Sequence, residues 1–137
     1  MEKSPLAPDN FPALTPIKGV TLATAAAGVK YKDRTDVMVA KLAPGSAVAG
    51  VFTRSSTRSA AVLDCQTKLG TACEHGGLIV VNSGNSNAFT GAKGQTSVDA
   101  ICASASGVFD VQIGEIFTSS TGVIGEPLPH EKITARF

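Results

Sequence analysis

The segment "GLIVVNSGNSNAFTG" (residues 77–91) joins the clearest strand signal of the chain to its densest polar run. A continuous apolar run such as "GLIVV" is typical of a strand buried on both faces. The run ends in Asn, Ser and Gly, which suit loops because they bond nearby backbone groups and tolerate positive φ. We therefore predict a buried strand over 77–81 that leads into a polar loop over 82–91.

An amphipathic helix is predicted after this loop. Residues 96–110, "TSVDAICASASGVFD", place one apolar stripe at helical spacing, formed by Val98, Ile101, Cys102, Ala105, Val108 and Phe109. Further strands are predicted over 20–29, 35–43, 47–53, 60–64 and 114–120, with a short helical turn over 65–70. This order of elements favours an α+β fold over a doubly wound sheet.

The ends of the chain predict its domain organisation. Residues 1–18 carry four of the seven prolines and are interpreted as an extended arm, and residues 19–137 as a domain. The final segment "HEKITARF" begins a helix but stops after about two turns, which is marginal for a helix alone. We therefore expect the domain to be incomplete at its C-terminus.

Composition narrows the function classes. The chain has 137 residues, which is enough for one domain with a core. Its net charge of +1, without a Lys/Arg run, does not indicate a surface that binds nucleic acid or an anionic membrane. The apolar runs are too short to span a bilayer, the N-terminus has no apolar signal region, and the three cysteines fit a reducing compartment. A cytoplasmic protein is expected.

Two polar motifs are candidate sites. In "SSTGVIG" (119–125), the hydroxyl of Thr121 and the N–H of Gly122 could converge on one oxygen, as an oxyanion hole requires. The alternative is an ordinary strand end with a turn. The 82–91 loop, which follows a buried strand and precedes a helix, could present backbone N–H groups to an anion, but a structural Asx-rich turn is the more common outcome. The loop is not a phosphate-binding Walker A motif, because Ala92 separates Gly91 from Lys93.

Other reactive side chains have ordinary interpretations. His75 and His130 lie in polar stretches and are not expected to be catalytic, and no nucleophile-elbow motif is present. No metal site is predicted, because the adjacent residues 73–75 cannot easily share one tetrahedral site. Cys102 lies on the apolar stripe of the predicted helix and is interpreted as a packed core thiol. Asp33, Arg34 and Asp36 are interpreted as a solvated charged turn.

Three segments in order resemble one family. "AGVFT" (49–53), "IVVNSGNSNAFTG" (79–91) and "STGVIGEPLP" (120–129) resemble the N-terminal part of the ArgJ family of bifunctional ornithine acetyltransferases/N-acetylglutamate synthases. The opening strands, "GVTLATAAAGVKYKDRTDVMVA" (19–40), are similar too, so the likeness runs from about residue 12 to the end. The chain departs from the family at Ser86, usually Ala, and in the 54–64 loop, which lacks the usual Asn and Pro.

The resemblance implies a layered αββα fold and a self-processing enzyme of arginine biosynthesis. Family members cut themselves before an internal Thr, and the resulting α and β chains form an α2β2 heterotetramer. The new N-terminal Thr takes acetyl from N-acetylornithine and passes it to glutamate. No cofactor is expected, and acetyl-CoA is a possible second donor substrate.

The same resemblance assigns the oxyanion hole to Thr121 and Gly122 and gives Asn82, Gly84 and Asn85 a part in shaping the wall behind the site. The nucleophilic Thr, and the substrate-binding Lys and Thr just before the cut, match no residue here; Thr134 lies too close to Thr121 to be the nucleophile. The chain alone is therefore expected to be inactive. The alternatives are a fragment of a related N-terminal-nucleophile amidase or aminopeptidase, or a non-catalytic module in which "NSGNSN" binds an anion.

Overall fold

One four-stranded sheet organises the chain. The computed structural model describes residues 5–10, 12–13, 15–70 and 72–137. The strands are β1 (Val20–Ala25), β2 (Val37–Leu42), β3 (Leu78–Asn85) and β4 (Ile116–Val123). The helices are α1 (Ala60–Lys68), α2 (Ala92–Phe109) and α3 (His130–Thr134), and a 3-10 turn covers Ile113–Glu115. The strands lie in the order β1-β2-β3-β4, with antiparallel pairing except between β3 and β4.

Helix α2 is the crossover that the parallel pair requires, because parallel strands cannot be joined by a tight turn. It covers one face of the sheet and builds the main core there. The central members of this core are Leu78 and Val80 of β3, Val98, Ile101, Cys102 and Ala105 of α2, Ile116 of β4 and Ile133 of α3. The apolar stripe predicted for the helix is therefore confirmed for its first four positions, while Val108 is 57% exposed.

The opposite face of the sheet is mostly uncovered in the described residues, and we call it the open face. It carries the paired rows Leu22–Ala40–Ile79–Phe117, Thr24–Met38–Val81–Ser119 and Ser83–Thr121. Only the Phe117 end lies under a second apolar cluster with Cys65 and Cys73. Strand β3 was predicted to be buried on both faces. This is confirmed for the face under α2, whereas Ile79 and Val81 on the open face are only half-buried.

Helix α1 runs beside the outer edge of β4. The Cys65 thiol donates to the carbonyl of Thr118 at 3.3 Å, and Lys68 Nζ donates to the carbonyl of Ile116 at 3.1 Å. Lys68 also bonds Asp64 at 2.7 Å, one helical turn earlier. Burial lowers the pKa of Lys68, but the Asp64 carboxylate outweighs that effect and raises it above the usual value.

The structure corrects two predicted strands. Residues 60–64 are helical, because Ser59 caps the helix by accepting the N–H of Val62 at 3.3 Å and the helix continues through the predicted turn to Lys68. Residues 47–53 form no strand; Val48 and Phe52 pack into the second cluster, and Val51 is 98% exposed.

Other boundaries shift by a few residues. Strand β3 extends to Asn85 and takes in the first part of the predicted loop, and α2 begins at Ala92 rather than at 96. Residues 1–4, 11 and 14 of the proposed arm lie outside the described residues, and the described remainder of 5–18 contains no helix or strand. Among the residues that the structure describes, no helix is long and apolar enough to cross a membrane.

Candidate active site

Thr121 and Gly122 lie in the last third of β4, not in a turn after it. They pair with Ser83 and Gly84 of β3 across the parallel ladder, and both are exposed. The Thr121 side chain lies on the open face, because the core-facing positions of β4 are Ile116, Thr118 and Ser120. The motif therefore sits on a rigid strand rather than a loop.

Gly122 is required by close contact between the two strands. Its φ is +133°, and a Cβ there would overlap the Gly84 carbonyl carbon and lie 2.6 Å from the nitrogen of Asn85. Gly84 has a φ of +98°, and a Cβ there would lie 2.9 Å from the Cβ of Lys30. These two positions fit only glycine without movement of the backbone around them.

The side chain of Asn82 holds the two strands together at this contact. Its Oδ1 accepts the hydroxyl of Ser120 at 2.6 Å, and its Nδ2 donates to the carbonyl of Asn85 at 2.9 Å. Asn82 is 3% exposed, so both bonds are shielded from water. One buried amide thus fixes the residue before Thr121 to the β3 residue that follows Gly84.

Asn85 ties the same region to the chain after β4. Its Oδ1 accepts the N–H of Asn87 at 2.7 Å, and its Nδ2 donates to the carbonyl of Glu126 at 3.0 Å. Both the N–H and the hydroxyl of Ser86 bond the Val123 carbonyl, at 3.0 and 2.9 Å. The family's usual Ala at this position would keep only the first of these bonds.

Asn87 then connects the loop to the start of α2. Its Nδ2 donates to the Gly94 carbonyl at 3.0 Å, and its Oδ1 accepts the Thr90 hydroxyl at 3.0 Å. Asn82, Asn85 and Asn87 are all at least 97% buried and bonded to the protein itself. These contacts favour the structural interpretation of the loop over a role for its amide side chains in binding an anion.

Backbone alternation sets the direction of the Gly122 N–H. The carbonyls of Ile116 and Thr118 point to α1, away from β3, while the carbonyl of Val123 accepts from the β3 side. Because backbone groups alternate along a strand, even-numbered residues of β4 direct their N–H groups to the outer edge. This alternation predicts that the Gly122 N–H points to that edge, and the exposed Thr121 side chain lies on the adjoining open face.

The loop over residues 26–36 borders this site. Its charged residues were predicted to form a solvated turn. Asp36 is 5% exposed, and its carboxylate accepts the N–H groups of Ala27 and Val29, both at 2.7 Å. The prediction of a solvated turn is therefore wrong for Asp36. Its partners lie nine and seven residues away, so no local pattern indicated them.

The two histidines are bonded to residues outside β3 and β4. His75 bonds Gln112, and His130 bonds Ser97 at 3.1 Å beside α2. Burial alone would raise the pKa of Glu115, but the N–H groups of His75 and Gln112 hold that pKa below its usual value.

The cysteines match the prediction for Cys102. All three are free and buried, and burial raises the pKa of each thiol. None of them therefore has the lowered pKa of a reactive cysteine nucleophile. Within the described part of the chain, no group of three His, Cys, Asp or Glu side chains could hold a metal ion.

Comparison with known proteins identifies the family. The family model described as "ArgJ family" matches residues 21–137. The chain belongs to the ArgJ family. The "Arginine biosynthesis bifunctional protein ArgJ" of Ruegeria pomeroyi is 62% identical over 97% of this chain, and that of Agrobacterium fabrum is 49% identical over 94%. The chain spans about a third of the length of these curated relatives, 33% and 31% respectively.

Solved ArgJ structures share the fold. The ArgJ protein of Bacillus halodurans superposes with a TM-score of 0.78 at 29% identity, covering 87% of this chain and 61% of that chain. The ornithine acetyltransferase of Mycobacterium tuberculosis, solved in complex with ornithine, gives 0.77 at 34% identity, with 86% and 63% covered. These matches confirm the expected α+β class.

Because Gly122 is in close contact with Gly84, adding a single methyl group at position 122 should strongly reduce the stability of the fold. We expect Gly122→Ala to lower the free energy of unfolding by about 2–4 kcal/mol, from backbone strain and overpacking. Gly114→Ala is the matched control, because its added Cβ would meet nothing within 4 Å. Urea denaturation measures both, and equal stabilities of the two variants would contradict the contact.

Proposed function

We propose that this chain is part of an acetyltransferase of arginine biosynthesis that moves acetyl from N2-acetylornithine to glutamate through an acetyl-Thr intermediate. The observation that carries the proposal is the exposed position of Thr121 and Gly122 on β4, a strand whose place is fixed by Gly84 and Asn82. The Mycobacterium tuberculosis neighbour is an ornithine acetyltransferase solved in complex with ornithine, which supports the substrate class.

The proposed role of the pair follows from the chemistry of acyl transfer. A Thr nucleophile outside this chain attacks the acetyl carbonyl, and the carbonyl oxygen becomes an oxyanion in the tetrahedral intermediate. Thr121 and Gly122 donate hydrogen bonds to that oxygen, and neither donor has to change its protonation state. Collapse of the intermediate expels ornithine and leaves acetyl-Thr, which glutamate then attacks through a second intermediate of the same charge. Removal of one such donor typically raises the activation barrier by about 2.7–4 kcal/mol.

Other parts of the proposal concern the whole protein. This segment covers 33% of the Ruegeria pomeroyi relative but 61% of the crystallised Bacillus halodurans chain, so the crystallised chain is much shorter than the curated one. That difference supports division of the family protein into two chains. We therefore propose self-cleavage before a Thr, association of this chain with its own β chain in an α2β2 assembly, and no activity in the isolated segment. The proposal requires no cofactor and leaves acetyl-CoA as a second acetyl donor.

The oxyanion role is tested in a chimera that joins this chain to the remaining two thirds of the Ruegeria pomeroyi relative. We expect Thr121→Ala to lower kcat by about 10²–10³ with little change in KM, because the lost bond forms with the intermediate rather than with the substrate. Steady-state kinetics with N2-acetylornithine and glutamate measures both constants.

Two variants serve as controls for this experiment. Thr121→Ser keeps the hydroxyl and is expected to retain most of kcat. Ser119→Ala removes a hydroxyl from the same open face two residues earlier and is expected to leave kcat unchanged. Near-normal turnover by Thr121→Ala would contradict the assignment, as would an equal loss in Ser119→Ala.

Self-cleavage is tested by the intact mass of the native gene product. We expect two fragments whose masses sum to that of a chain of the curated length, with this segment in the first fragment. N-terminal sequencing of the second fragment should begin with Thr. A single uncut chain in the active protein would contradict the proposed processing.

A further inference from the structure

One guanidinium group on the open face has no carboxylate partner within the described part of the chain. Arg34 is half-buried, and its Nη2 makes one long hydrogen bond, 3.4 Å, to the hydroxyl of Ser83. The Arg34 guanidinium carbon also lies 5.4 Å from the centroid of the Tyr31 ring. An arginine has five N–H donors, so most of them remain available to an anion.

The position of Arg34 relative to the site follows from strand register. Ser83 pairs with Thr121, so both side chains lie on the open face, and neighbouring strands are about 4.8 Å apart. A group in contact with the Ser83 hydroxyl is therefore one strand away from the proposed oxyanion donors. Arg34 itself lies between Asp33, which adopts a positive φ of 58°, and the buried Asp36.

The loop that carries Arg34 is held from both sides. The Asp36 carboxylate binds the N–H groups of Ala27 and Val29, and the Ser83 N–H donates to the Asp36 carbonyl at 2.9 Å. The neighbouring cation, Lys30, is already paired with Glu126 at 2.7 Å. Of these two cations beside the site, Arg34 is thus the one without a carboxylate partner.

We propose that Arg34 binds the carboxylate of the N-acetylated amino-acid donor, an inference that rests on the proposed acetyl transfer. In N2-acetylornithine, the carbon that bears the carboxylate is bonded directly to the acylated nitrogen. A carboxylate therefore lies close to the acetyl carbonyl whenever that carbonyl faces Thr121 and Gly122. A guanidinium matches a carboxylate with two parallel hydrogen bonds, which suits Arg34 better than a lysine. The carboxylate keeps its charge throughout the reaction, so Arg34 determines affinity rather than the rate of the chemical step.

The test compares Arg34→Gln with the unmodified chimera. We expect the KM for N2-acetylornithine to rise at least about tenfold, as for loss of a charged hydrogen-bonding partner, with kcat little changed. Arg136→Gln is the matched control, because Arg136 is exposed beside α3 on the helix side of the sheet. An unchanged KM in Arg34→Gln would overturn the inference.

A second arm separates recognition of the carboxylate from a structural effect. N-acetylputrescine is N2-acetylornithine without the carboxylate, and it is tested for inhibition in competition with N2-acetylornithine. Its inhibition constant should be the same for the chimera and for Arg34→Gln, because the group that Arg34 binds is missing. If Arg34→Gln weakens both compounds equally, Arg34 acts only on the structure and the inference is wrong.

The inference and the proposed function fail in different ways. Absence of acetyl transfer in an assembled, unmodified chimera would contradict the proposed function. Calorimetric titration of N2-acetylornithine into the same chimera and into Arg34→Gln would still test carboxylate binding. Equal affinities there would overturn the role of Arg34, and at least about tenfold weaker binding by the variant would support it.

Discussion

The contact between Gly84 and Gly122 is the constraint on which the rest of the site depends. A side chain at Gly122 would overlap the backbone of β3, so the two parallel strands approach more closely there than side chains allow. This approach needs α2 as the crossover and a local irregularity of register at Gly84 and Asn85. Thr121 and Gly122 consequently have one fixed position relative to β3.

Buried amides maintain that position. Asn82 and Asn85 are almost completely shielded from water, and every hydrogen bond described for their side chains is made to the protein. Such groups are costly to bury unless they are paired, so their removal would leave unpaired backbone groups next to the site. A rigid site with uncharged donors is what stabilisation of a developing negative charge requires, because the donors need no reorganisation during the reaction.

The sequence predicted the parts of the fold that have local periodicity. The apolar run of β3 and the stripe of α2 were predicted from spacing and composition, whereas the oxyanion role of Thr121 and Gly122 comes from the family resemblance and stays a prediction. Helix α1 was mistaken for a strand at 60–64, since its two alanines and two branched side chains are ambiguous, and Ser59 and the Asp64–Lys68 pair decide for a helix. Asp36 and Arg34 were interpreted as part of a solvated turn, because Ala27, Val29 and Ser83, which they contact, are brought near by the fold rather than by sequence spacing.

The proposed oxyanion hole is best tested by a crystal structure of the complete protein with a phosphonate analogue of the tetrahedral intermediate. We expect one anionic oxygen of the analogue to lie within about 3.1 Å of both the Thr121 hydroxyl and the Gly122 nitrogen. The Gly84–Gly122 contact should be the same with and without the analogue. An anionic oxygen bound elsewhere, or a Gly122 N–H bonded to another strand of the protein, would rule out the oxyanion role of this pair.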